Sequence, residues 1–131
     1  MTTNVKAVPE GHHTVTPYLV VSGVAKLIEF VKQAFGAKEV FLSKRADGSV
    51  QHAEVKIGDS IVMMGESAEK QFPGMLHLYL EDVDAVYQRA MGAGAKSLRE
   101  PADQPFGDRM GGVEDEFGNQ WWIATHTKDV A

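Results

Sequence analysis

The chain contains no cysteine. That excludes a disulfide framework, a thiolate metal site and a cysteine nucleophile. Long apolar runs are also missing, since the longest, around Tyr18–Val21, falls far short of the roughly 18 residues that a membrane span needs. Basic character is scarce: 13 Lys and Arg stand against 18 Asp and Glu, for a net charge of −5. Phosphate contacts require a basic face, so a nucleic-acid partner is not expected. The opening stretch from Met1 to His13 lacks the basic-then-apolar profile of a secretory leader. A cytoplasmic protein with neither membrane nor nucleic-acid partners is the expectation.

What is present is a chain of 131 residues, 44% of them hydrophobic, enough to bury roughly two-thirds of its unfolded surface in a single core. Residues 1–13 and 127–131 have no periodicity and read as tails around one domain at 14–126. Thr16 to Val21 reads as a strand, with Pro17 near its start where a missing ladder donor is tolerated. Ser22 is the expected N-cap of a helix at Val24–Phe35, whose apolar face is Leu27, Ile28, Val31, Ala34 and Phe35. Gly36 stands where a left-handed terminal residue is needed. Val40 to Leu42 and then Val50 to Met64 alternate as strands, broken by the turn pairs Asp47-Gly48 and Gly58-Asp59.

The second half repeats this order. A strand at Met75–Leu80 leads through an acidic cap, Glu81 or Asp82, to a helix with Val83, Val86, Tyr87, Ala90 and Met91 on one face. Gly92 and Gly94 end it. Gly36-Ala37-Lys38 returns as Gly94-Ala95-Lys96, an offset of 58, and Gly58-Asp59 returns as Gly118-Asn119, an offset of 60. Gly48-Ser49-Val50 has its counterpart in Gly111-Gly112-Val113. The matches point to an internal duplication and to an α+β fold, in which two βαβββ units form a curved sheet around a cavity.

Alternation then sorts the side chains. A two-residue turn at Gly58-Asp59 pairs Ile57 with Ser60, Val55 with Val62, and Glu54 with Met63. Ala53, Val55, Ile57, Val62 and Met64 make the helix-facing side, while His52, Glu54, Lys56, Ile61 and Met63 face the cavity. In the second unit Leu76, Leu78 and Leu80 face the helix, leaving His77, Tyr79 and Glu81 on the cavity side. Parity alone does not orient the last strand, because Trp121 and Trp122 fall on opposite faces. One is expected to pack on the second helix and the other to line the cavity.

From Thr14 to His126 the chain resembles the vicinal oxygen chelate superfamily of glyoxalase I, bleomycin-resistance proteins, fosfomycin-resistance proteins and extradiol dioxygenases. The carriers are the duplicated units, Tyr18-Leu19-Val20-Val21 before a helix ending Ala34-Phe35-Gly36-Ala37, His77 ahead of Glu81-Asp82-Val83, and Asp115-Glu116-Phe117-Gly118-Asn119-Gln120-Trp121-Trp122. Gly107-Asp108-Arg109, Gly111-Gly112-Val113 and Trp121 to His126 are similar to its PhnB-like branch. The resemblance implies a homodimer and, in metal-dependent members, one inward ligand on each of four strands. Those positions correspond to Thr16, Met63, His77 and Trp122, and only His77 is a competent ligand.

Three functions follow. The leading one is a metal-free, cofactor-free pocket that binds an aromatic or amphipathic molecule through Tyr18, His52, Met63, His77, Tyr79, Phe106, Arg109 and Trp122, with the net charge favouring a cation. The second is a lyase, isomerase or dioxygenase whose divalent metal has moved to His52, Glu54 and His77, a facial triad. The third is a structural role with the cavity filled by the chain's own side chains. Glu54 is the candidate general base, on the condition that burial without a cation raises its pKa. Its alternative is pairing with Lys56 or Arg109. His12-His13 reads as a solvated pair. The stretch Pro105–Gly112 reads as a glycine-hinged loop in which Arg109 meets an anionic group on the ligand or pairs with Asp108 or Glu114. Gly92-Ala93-Gly94 follows a helix instead of preceding one and is no phosphate cradle.

Overall fold

In the computed structural model, which describes residues 5–129, both halves follow the same order of elements. The first contains β1 (Tyr18–Val21), α1 (Val24–Phe35), β2 (Lys38–Lys44), β3 (Val50–Ile57) and β4 (Ser60–Glu66). The second contains β5 (Met75–Tyr79), α2 (Val83–Gly92), β6 (Lys96–Asp103), β7 (Asp108–Glu114) and β8 (Gln120–His126). Each half closes its own four-stranded sheet, in the orders β1-β4-β3-β2 and β5-β8-β7-β6. β1 runs parallel to β4 and β5 to β8, and the remaining neighbours are antiparallel. No helix among the described residues is long and apolar enough to cross a membrane.

The hairpin at Gly58-Asp59 has the expected register, Ile57 opposite Ser60, Val55 opposite Val62 and Glu54 opposite Met63. Ala53, Val55 and Met64 are fully buried beneath α1, against Leu27, Val31 and Ala34. Gly36 ends α1 at φ 66, with its N–H and that of Ala37 donating to the carbonyls of Lys32 and Val31. The N-terminus differs from expectation. Gly23, not Ser22, occupies the cap, and the free N–H groups of Gly23 and Val24 donate to the carboxylate of Glu66 at 2.9 Å each. A carboxylate from β4 therefore does the capping, where a charged acceptor also suits the helix dipole. α2 is capped as expected by Asp82, which accepts from the Ala85 N–H.

Trp121 joins the halves. It is fully buried, and its ring lies 4.9 Å from that of Phe35 and 6.4 Å from that of Phe30. Its strand β8 lies against α2, as expected for one of the two tryptophans, and because α1 and α2 also lie against each other, Phe30 and Phe35 of α1 reach the same ring. The indole N–H donates to Asp115, whose buried carboxylate also takes the Asn119 side chain and the backbone N–H groups of Phe117 and Asn119. Asn119 in turn accepts from the Gly74 N–H. The acidic turn before Trp121 is therefore a lattice of satisfied donors that ties the chain between the halves to β8.

The expected loop at Pro105–Gly112 is largely strand. Only Gln104–Gly107 turns, and Asp108–Glu114 form β7, hydrogen-bonded on both sides by β6 and β8. Glycine and proline misled here because they carry packing roles. Gly111 lies against Pro101 of the bulged edge strand β6, and Gly112 lies under Trp122.

Candidate functional site

On the first sheet, the face turned away from α1 carries His52, Glu54 and Met63, as alternation predicts, and Tyr18, which lies in register with Met63. Tyr18 lies across Gly65, where an added Cβ would come within 2.7 Å of the phenol oxygen. This brings the hydroxyl within 3.1 Å of His52 Nδ1. The His52 Nε2–H donates to one oxygen of Glu54 at 3.3 Å, leaving Nδ1 to accept from Tyr18. The other oxygen of Glu54 receives His12 Nε2 at 2.9 Å. His12 is therefore not a solvated residue. Its segment folds over the sheet, and a cavity of about 380 Å³ lies between Pro9, His12, Thr16, Glu54 and Met63.

This changes the chemistry open to Glu54. Burial pushes its pKa up, but the hydrogen bonds from His12 and His52 outweigh it, and the carboxyl is held below its ordinary range. The bond to Glu54 raises His12 correspondingly. The condition for a general base with a raised pKa is not met, because Glu54 has two imidazole partners, neither of them Lys56 or Arg109.

The second sheet presents His77, Tyr79, Trp122 and His126 on its open face. Trp122 lies flat on Gly112, where an added Cβ would sit 2.5 Å from the ring, and its N–H donates to Gln120. The Arg99 guanidinium stands 5.9 Å from the ring centroid. His77 is in register with Trp122 and meets Tyr79 edge-on at 4.8 Å. At the far end Asp108, only 3% exposed, accepts from the Tyr79 hydroxyl at 3.1 Å and from His126 Nδ1–H at 2.8 Å. The bond from His126 holds Asp108 low despite burial, and the bonds to Asp108 and Asp129 raise His126. The hydrogen bond to Asp108 also raises Tyr79. A cavity of about 730 Å³ opens at the β5 edge, where Leu76, Leu78 and Trp121 of the helix-facing side meet His77, Tyr79 and the Gly58-Asp59 turn; Trp122 lies outside it.

Two expected ligand-binding residues are placed otherwise. Arg109 points to the helix side, where Asp84 of α2 receives it at 2.8 and 3.1 Å and Asp103 at 3.3 Å. Those pairs hold it firmly charged. Thr125, its partner in register, likewise turns toward α2 and donates to the Leu80 carbonyl. Neither Asp108 nor Glu114 is its partner. Phe106 is half-exposed in the turn before β7.

The residues that sequence reasoning passed over are His12, Arg99, Asp108 and His126. For Asp108 and His126 the signal lay in the turn preceding β8, whose closure opposes Glu114 to Gln120 and hence Asp108 to His126. The metal of metal-dependent relatives does not fit the donors. Thr16 and Met63 belong to the first half and His77 and Trp122 to the second, with an imidazole the only strong donor. Nor does the alternative triad assemble, since His52 and Glu54 lie on β3 and His77 on β5 of the other sheet. Among the described residues no group of three His, Cys, Asp or Glu is placed to hold a metal ion.

Comparison with known proteins agrees with this architecture. Residues 11–123 match the family model of the Glyoxalase/Bleomycin resistance protein/Dioxygenase superfamily. An uncharacterised protein of Mycobacterium bovis is 34% identical over 128 residues, covering 88% of this chain and 84% of the relative. Among solved structures, TioX from Micromonospora sp. ML1 superposes with a TM-score of 0.77 at 23% identity, over 87% of this chain and 98% of that one. The PhnB protein from Bacillus cereus superposes at 0.66 and 18% identity, over 86% and 99%.

Proposed function

Because the chain belongs to the glyoxalase/bleomycin resistance protein/dioxygenase superfamily, we propose that it is a small-molecule-binding member whose pocket uses aromatic side chains instead of a metal. The observation that carries this reading is Trp122 lying on Gly112. A glycine in a central strand costs stability unless something must come close. Here the indole takes the space of a side chain and offers its outer surface beside His77 and Tyr79 as a stacking platform. The Arg99 guanidinium stands over it and makes no hydrogen bond or ion pair among the described residues, so it can swing aside or clamp a bound ring.

The pocket is completed by a second copy of the chain. Tyr18 is 50% exposed, Phe41 52%, Met75 70% and Tyr79 64%, and all four belong to the open faces. Apolar surface of this extent supports a partner. Sedimentation equilibrium tests the homodimer, and a monomer at micromolar concentration would refute it. Binding is tested by screening aromatic compounds by thermal shift with wild type and Trp122→Ala. Hits that stabilise wild type and lose their effect in the variant support the pocket. Hits that stabilise both equally refute it.

A further inference from the structure

The Asp108–His126 pair lies beyond the platform and has no part in stacking. We propose that it is an anion anchor, at which His126 Nε2–H receives a carboxylate or phenolate oxygen of an aromatic ligand whose ring rests on Trp122. The proposal builds on the binding reading above and names the class of ligand.

Both ring nitrogens of His126 face carboxylates, Asp108 at 2.8 Å on Nδ1 and Asp129 at 2.7 Å on Nε2. A carboxylate only accepts, so both nitrogens carry hydrogen and the ring is an imidazolium. The two partners differ. Asp108 is buried in β7 and held by Tyr79 as well, so it fixes the ring. Asp129 has a fully exposed side chain on the segment after β8. Its carboxylate marks where an anionic oxygen fits, and solvent or a ligand can replace it cheaply. The groups facing this imidazolium are Asp108 from β7, Tyr79 and, one turn of the pleat away, His77 from β5, and Asp129. Of these only Asp129 is freely displaced.

Trp122 and His126 share a face of β8 four residues apart, about 13 Å along the strand. A ligand touching both is elongated, with its acidic group at least two rings from its stacked end. Arg99 over Trp122 adds a second positive charge on the same face. The net charge of −5 favours cations at long range, but beyond about 8 Å that field is screened at physiological salt, whereas the anchor acts at contact. Locally the free donors are cationic, so the ligand is an anion.

The test is calorimetric titration with biphenyl-4-carboxylate and its neutral isostere biphenyl-4-carboxamide. The acid is expected to bind about tenfold tighter, the scale of one charge-assisted hydrogen bond. His126→Gln, at a half-exposed site, is expected to remove that preference, bringing the acid down to the affinity of the amide. Asp129→Ala, at a fully exposed site, is expected to tighten the acid several-fold by removing its competitor. Equal affinity for acid and amide in wild type, a preference that survives His126→Gln, or a weaker acid in Asp129→Ala would each overturn the anchor while leaving the platform standing. Failure of both probes to bind would overturn the platform and the anchor with it.

Discussion

Each half of the chain lays an aromatic ring on a glycine and sets a carboxylate between two ring-borne donors, yet the two faces end in different states. On the first, Tyr18 lies on Gly65 and Glu54 is shared by His52 and His12. On the second, Trp122 lies on Gly112 and Asp108 is shared by Tyr79 and His126. The difference lies in where the second donor comes from. His12 arrives on a segment that folds over its face and narrows it, whereas His126 belongs to the sheet itself and leaves its face open. Duplication thus supplies two similar platforms, and one short segment covers part of the first while the second stays open.

Substituting the two glycines separates the faces most strongly. Gly112→Ala drives a Cβ to 2.5 Å from the Trp122 ring, and overpacking of this kind costs about 1–3 kcal/mol. Urea unfolding should report that loss, with aromatic binding abolished as the indole is displaced. Gly65→Ala meets chiefly the far end of Tyr18, which can swing toward solvent, so its cost should be smaller and binding should persist. Next in size is the loss of the rings. Trp122→Ala should weaken an aromatic ligand by about tenfold, the scale of one stacking contact at its upper end, while Tyr18→Ala should leave affinity unchanged in the same titration.

A pH series sharpens the comparison further. His12 is raised above its ordinary 6.5 and Glu54 lowered below its ordinary 4.5. Their pairing therefore contributes fully between those values, and it is lost as pH rises through the raised His12 value or falls through the lowered Glu54 value. Thermal melts of His12→Gln should lack the part of the alkaline decline that His12 causes, and the decline due to His126 should remain. The smallest expected effect concerns metal. Ni, Zn, Mn or Fe(II) should leave the melting temperature unmoved and bind substoichiometrically by elemental analysis, in wild type and in His77→Gln alike.

Local and short-range features were legible in the sequence. The bounds of α1, the left-handed Gly36, the Asp82 cap and the register around Gly58-Asp59 follow from patterns within a dozen residues. The duplication and its family resemblance placed Trp122 and His77 correctly on one face. What was not legible depends on approach across distance. Gly112 reads as a hinge until Trp122 is seen above it, and Arg109 reads as a ligand anchor until β7 turns it toward Asp84. His12 reads as solvated because its partner lies 42 residues away. That one tryptophan packs on the second helix was legible from alternation, but the approach of Phe30 and Phe35 to Trp121 was not, since the packing of α1 on α2 has no signature in either helix alone.

The central claim is that the second face binds through Trp122, and the two indole N–H resonances of the protein test it most directly. Trp121 is fully buried and bonded to Asp115, while Trp122 is partly exposed. In ¹H–¹⁵N spectra recorded during titration with an aromatic ligand from the screen, the Trp122 indole signal should move in a saturable way while that of Trp121 stays in place. A bound ligand that leaves the Trp122 signal unmoved would contradict the account.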